Sequence, residues 1–176
     1  MPNYRRVWIP GGTYFFTVAL VDRRSTLLVD RIAELRSAFR TAWIARPFTI
    51  DAIVVLPDHL HAVWTLPTGD ADYAKRWSQI KAMFVRALSA REYVCPSRAH
   101  KRERGIWQRR YWARAIMDEQ DFDAHVDYVH INPVKHGLVS QTRAWPWSSF
   151  HRYVRNGVLD EMWAASVVRK PVDVRD

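Results

Sequence analysis

The chain has 176 residues, 48% hydrophobic and 26% charged, the size and composition of one globular domain with a substantial core. That balance excludes a disordered, collagen-like or disulfide-built protein, and a single cysteine, Cys95, fits a reducing cytoplasm. Lys and Arg number 27 against 18 Asp and Glu, a formal charge of +9, so the expected partner is a polyanion, nucleic acid ahead of an anionic membrane.

The uncharged stretch from Val7 to Val21, behind Arg5 and Arg6, imitates a signal peptide. Pro10, Gly11 and Gly12 interrupt it, and its 15 residues fall short of a membrane span. A soluble, cytoplasmic protein without a targeting segment is expected. From Thr13 to Leu20, Tyr14, Phe16, Val18 and Leu20 alternate with Thr13, Phe15, Thr17 and Ala19, which predicts a first strand. Ile32, Leu35, Phe39 and Trp43 recur at helical spacing and predict an amphipathic helix over 31–46. The apolar runs Phe48 to Leu56 and His59 to Leu66, split by Pro57-Asp58, predict a central hairpin.

Tyr73, Trp77, Ile80, Phe84 and Leu88 predict a second helix. After a basic stretch, Gly105 to Met117 predicts a strand, and Asp118 to Ile131 a helix with acidic residues in its first turn. Strand, helix, strand, strand, helix, strand, helix is the order of an α+β, ferredoxin-like antiparallel sheet (βαββαβ) with an additional C-terminal helix. One domain over 1–155 is expected, followed by a tail over 156–176.

Residues two apart on a strand share a face, so His59 and His61 project together, away from Leu60, Ala62 and Trp64. Such a pair is either two imidazole ligands of a divalent ion or a polar strand face, and Asp58 beside it either a ligand or a turn residue. On the last helix Asp121, His125, Tyr128 and Asn132 fall in a stripe about 60° wide, next to the apolar stripe of Phe122, Val126 and Val129. Tyr128 there is a functional group or a core-margin residue, and Asn132 before Pro133 a functional amide or a helix cap.

PDHLHAVWTLP (Pro57 to Pro67), followed about 60 residues later by DYVHINPVKHGLV (Asp127 to Val139), resembles the signature of the single-tyrosine HUH transposases. More closely, YRR and GGTYFFTV near the start, RPFTIDAIVVLP, IWQRRYW and WPWSSFHRYV resemble the REP-associated tyrosine transposases, in order from Tyr4 to Tyr153.

The resemblance implies that His59 and His61 are a metal-binding pair and that Tyr128 is a nucleophile forming a 5′-phosphotyrosine with single-stranded DNA. It implies Asn132 as the third metal ligand, Mg²⁺ or Mn²⁺ as the ion, and repetitive extragenic palindrome (REP) hairpins as the substrate. The implied activity is that of a DNA endonuclease and strand transferase serving transposition and recombination, and the extra C-terminal segment suggests a monomer. Tyr4, Arg5 and Arg6 become contacts to the hairpin foot. His125, one turn before Tyr128, is a candidate general base.

One departure is that Ala113 and Arg114 stand where family members often carry an acidic residue. From Pro96 to Trp112, Arg98, Lys101, Arg102, Arg104, Arg109 and Arg110 face one acidic residue, Glu103. With Trp107, Tyr111 and Trp112 interleaved, this segment reads as a phosphate-binding arm with stacking rings or as a solvated loop. The competing function is a non-catalytic hairpin-binding regulator on the same sheet.

Overall fold

The structure is a computed structural model that describes residues 8–88 and 105–163. Strand β1 (Thr13–Ala19) is followed by a short helix α1 (Leu27–Asp30) and by α2 (Ile32–Ala45). The hairpin β2 (Thr49–Val55) and β3 (His59–Thr65) leads to α3 (Tyr73–Ala87), β4 (Trp112–Ala115) and α4 (Glu119–Lys135). A 3-10 turn (Thr142–Ala144) and α5 (Phe150–Arg155) end the ordered sequence of elements. The sheet order is β2-β3-β1-β4 with every neighbouring pair antiparallel, the ferredoxin-like arrangement expected from the element order. Among the described residues no helix is long and apolar enough to cross a membrane.

Strand alternation divides the sheet into two chemically different faces. Tyr14, Phe16 and Val18 of β1 and Leu60, Ala62 and Trp64 of β3 pack against Leu35, Phe39 and Ala42 of α2 and Trp77, Ile80 and Phe84 of α3. Trp64 and Trp77 stack at 4.2 Å between centroids. Each large apolar ring removed from water contributes about 3 kcal/mol, so this face dominates the stability. On the other face Phe15, Val54 and Val63 pack with Val126, Tyr128 and Val129 of α4, which lies across β2 and β3. This thinner layer also holds His59 and His61.

Capping fixes where α4 starts and stops. The Asp118 side chain accepts from the Asp121 N–H at 2.8 Å, closing the first turn. At the other end Gly137 takes φ +68°, its N–H bonds to the carbonyl of Val134, and the N–H of Leu138 bonds to that of Pro133. These are the two bonds of a Schellman close, which needs a left-handed residue that glycine supplies without strain.

Three expectations change. The strand predicted over 105–117 is regular only over Trp112–Ala115, with Trp107 making one isolated bridge to Leu20. The adjacent Ile106 and Trp107 both enter the same core, which strict strand alternation forbids. Trp43, expected on the buried stripe of α2, is 50% exposed, and its indole N–H donates to the Phe48 carbonyl. Asn132 and Pro133 do not open a new helix; α4 runs through them to Lys135.

The C-terminal motif, for which the sequence predicted no element, packs on the sheet edge. Trp145 to Ser149 lies along the outer edge of β2: Val55 N–H bonds to the Trp147 carbonyl, Ser149 N–H to the Ile53 carbonyl, and Trp145 Nε1 to the Val55 carbonyl. Arg152 and the Tyr153 hydroxyl donate to the Asp51 carbonyl, at the irregularity between Ile50 and Ala52. Packing also continues past residue 155, because Trp163 lies against the rings of His130 and Phe150.

Candidate active site

Strand register decides the surroundings of the histidines. His61 sits opposite Thr17 on β1, and the Thr17 hydroxyl is 2.9 Å from His61 Nδ1. His59 Nδ1 lies 2.8 Å from Asp58 Oδ1, whose second oxygen takes Arg23 Nε at 2.7 Å. Both Asp58 side-chain oxygens are thus engaged, and the carboxylate orients the ring beside it. A carboxylate can only accept, so Nδ1 of His59 carries the proton and Nε2 carries the lone pair. Burial holds His59 below the ordinary imidazole value, against the opposing pull of Asp58, which keeps the ring neutral at pH 7.

Both imidazoles are buried, and their rings meet edge to face at 5.0 Å. With Nδ1 of each ring engaged, any bond to a metal runs through Nε2. On α4, Tyr128 packs its ring 5.3 Å from that of His61, and His136, two turns later, lies 5.0 Å from His59. Asn132 sits between these two contacts on the same stripe, one turn from each. It is fully buried, and neither its amide oxygen nor its amide nitrogen has a hydrogen-bond partner among the described residues. His59 Nε2 is likewise buried without one.

A buried amide with both atoms unsatisfied costs on the order of 1–3 kcal/mol per group, and a cation on the oxygen would remove the oxygen's share. Among the described residues no cluster of three His, Cys, Asp or Glu side chains has metal-binding geometry. Two imidazole nitrogens and a carboxamide oxygen are donors of the type that could hold a divalent ion here.

Tyr128 is 5% exposed, wedged between His61 and Phe15. Lys135 Nζ donates to its hydroxyl at 3.2 Å and sits 4.8 Å from the ring centroid. His125 is buried under Phe15, at 4.8 Å, and Nδ1 is directed to the Asp121 carbonyl at 2.7 Å. Arg114, the residue standing in the acidic position, bonds the Asp121 carboxylate at 3.3 Å. Burial lowers the His125 pKa, with Asp121 pulling the other way.

Tyr4, Arg5, Arg6, Arg98, Lys101, Arg102 and Arg104 lie outside the described residues. Arg109 and Arg110 are exposed on the segment that enters β4. Of the interleaved rings, Trp107 is buried against Phe84, while Tyr111 and Trp112 are half-buried. Sequence reasoning did not single out Thr17, Arg23, Lys135 or His136. Lys135 was legible, since seven residues after Tyr128 is two turns along one stripe; Thr17 and Arg23 needed the strand register and the loop path.

No family model matches the chain. A REP-associated tyrosine transposase of Escherichia coli strain K12 is 46% identical over 167 residues, 95% of this chain and 93% of that protein. A Haemophilus influenzae protein described as a putative REP-associated tyrosine transposase is 44% identical over 168 residues, 94% of this chain and 95% of its own length. A solved structure of a REP-associated tyrosine transposase bound to a REP hairpin superposes with a TM-score of 0.85 at 44% identity, covering 100% of this chain and 99% of that one. Near-complete coverage in both directions, at identities far above the level where only the fold is shared, identifies the chain as a member of the REP-associated tyrosine transposases.

Proposed function

We propose that this chain cleaves and rejoins single-stranded DNA beside a REP-type hairpin through a 5′-phosphotyrosine intermediate. The observation that carries the reading is the packing of Tyr128 against His61, which puts a phenol beside the buried histidine pair on a hairpin-binding family's scaffold. The hairpin in the homologous structure supports the choice of substrate.

His59, His61 and Asn132 would hold a divalent ion, Mg²⁺ or Mn²⁺, which when bound withdraws charge from a phosphate oxygen. Thr17 and Asp58 keep the imidazoles turned so that Nε2 faces the site. The Tyr128 oxygen attacks phosphorus, the bond to the 3′ oxygen breaks, and a free 3′ hydroxyl leaves with a proton. Because a phenolate is itself a fair leaving group, the 3′ hydroxyl reverses the step, and joining needs no nucleotide cofactor. The His125 Nδ1 proton is given to the Asp121 carbonyl, which leaves the lone pair on Nε2, and His125, one turn before Tyr128, is the candidate general base. Arg109 and Arg110, with Tyr4, Arg5, Arg6, Arg98, Lys101, Arg102 and Arg104, supply phosphate and foot contacts.

A labelled REP-type hairpin with single-stranded flanks, incubated with Mn²⁺ and protein and run on a denaturing gel, tests the reading. Wild type yields a covalent protein–DNA adduct, and Tyr128→Phe yields none while keeping hairpin affinity within about tenfold. Tight binding by wild type with no adduct under any divalent ion would instead make the protein a hairpin-binding regulator.

A further inference from the structure

The Lys135 ammonium donates to the Tyr128 hydroxyl, 3.2 Å from the oxygen, and lies over the ring at 4.8 Å. Both contacts come from one exposed side chain with four rotors, and holding it there costs up to about 2 kcal/mol of rotamer freedom. The placement follows from α4 itself: the two residues are two turns apart on one stripe, and the Schellman close at Gly137 begins just beyond Lys135. An ammonium on a phenolic oxygen is a charge-assisted donor, and its bond strengthens as negative charge gathers on that oxygen.

We propose that Lys135 is a catalytic residue of strand transfer, donating to the Tyr128 oxygen whenever that oxygen is anionic. The inference rests on Tyr128 being the nucleophile. In cleavage the phenol gives its proton to water, the oxygen bonds to phosphorus, the bond to the 3′ oxygen breaks, and the 3′ oxygen takes a proton from water. In rejoining the 3′ hydroxyl loses its proton to water, its oxygen bonds to phosphorus, and the phenolic oxygen departs as an anion that water reprotonates. Charge sits on the same atom in both directions, so one donor serves both, and the Lys135 nitrogen takes no part in the proton transfers.

Single-turnover cleavage and rejoining of a REP-type hairpin with Mn²⁺ would be compared in wild type, Lys135→Met, Lys135→Arg and Tyr128→Phe across a pH series. Lys135→Met should slow both directions by about tenfold to a hundredfold and push the rise of the cleavage rate to higher pH. Lys135→Arg, which keeps the cation, should recover most of the rate. Mn²⁺ and hairpin affinities should stay within about twofold in both variants. If Lys135→Met matches wild type in rate and pH profile while Tyr128→Phe abolishes the adduct, the role of Lys135 is overturned and the nucleophile stands. If Tyr128→Phe still forms an adduct, the nucleophile itself falls. A Lys135→Met defect explained wholly by lost metal or hairpin affinity, with an unmoved pH profile, would reduce Lys135 to a structural contact.

Discussion

His130 Nε2 and Ser149 Oγ lie 3.0 Å apart in a buried seam between α4 and the segment that lines β2. The same hydroxyl accepts the Ile53 N–H at 2.9 Å, so one oxygen ties the tyrosine-bearing helix, an edge strand and the C-terminal motif together. Burial, then the charges of Arg152 and His151, lower the His130 pKa from 6.5 to about 3.

Acid should therefore loosen this seam. The folded chain keeps His130 neutral down to about pH 3, whereas the unfolded chain takes up a proton near 6.5, so the stability it contributes is complete above 6.5 and is lost as pH falls toward about 3. The slope is at most one proton, about 1.4 kcal/mol per pH unit. His59 and His125 are shifted in the same direction and steepen the decline. Urea unfolding at several pH values should show a flatter acid limb for His130→Gln, which can keep a bond to Ser149 but does not titrate. Parallel curves for the two proteins between pH 6.5 and 4 would refute this account.

Thr17→Val keeps the shape of the strand and removes the partner of His61 Nδ1. The ring then loses its orientation, and Mn²⁺ affinity should fall by about tenfold to a hundredfold, with His61→Ala losing binding altogether. Titration of Mn²⁺ by electron paramagnetic resonance measures both. Undiminished affinity in Thr17→Val would mean that the ring is held by packing alone.

Asn132→Leu should separate stability from metal binding. It replaces an amide whose two polar atoms are buried without partners by an apolar group of similar volume, so the protein without divalent ions should gain about 1 kcal/mol. Mn²⁺ binding and cleavage should be lost together. Chemical denaturation in chelator, paired with the titration above, checks the two effects; a less stable variant would show that this amide is satisfied in solution.

The central hairpin, both long amphipathic helices and the shared face of His59 and His61 were legible because period and spacing report local geometry directly. Tyr128 and Asn132 were legible as a stripe, and their approach to the histidines came from the family resemblance rather than from period. What stayed hidden depends on contacts far apart in the chain. Thr17 meets His61 only once the β1–β3 register is set, and Arg23 reaches Asp58 from a loop. WPWSSFHRYV carries no strand alternation because it meets β2 in one isolated bridge at Ser148, flanked by backbone bonds from Trp147 and Ser149. Pro133 misled for a different reason: its missing N–H and fixed ring normally break a helix, yet the turn around it is held by the Schellman bonds and by packing against the sheet.

The lining of β2 has a consequence for how copies of the chain meet. An uncovered edge strand offers a row of donors and acceptors on which another chain can template itself, the usual route to sheet-to-sheet association. Here the outward groups of Ile53 and Val55 are spent on the protein's own Trp147, Ser149 and Trp145. On the far side β4 spans only Trp112–Ala115, too short a ledge for stable pairing. A fold whose working face depends on the thinner of its two layers is thereby shielded from self-recognition along the direction in which sheets most readily grow.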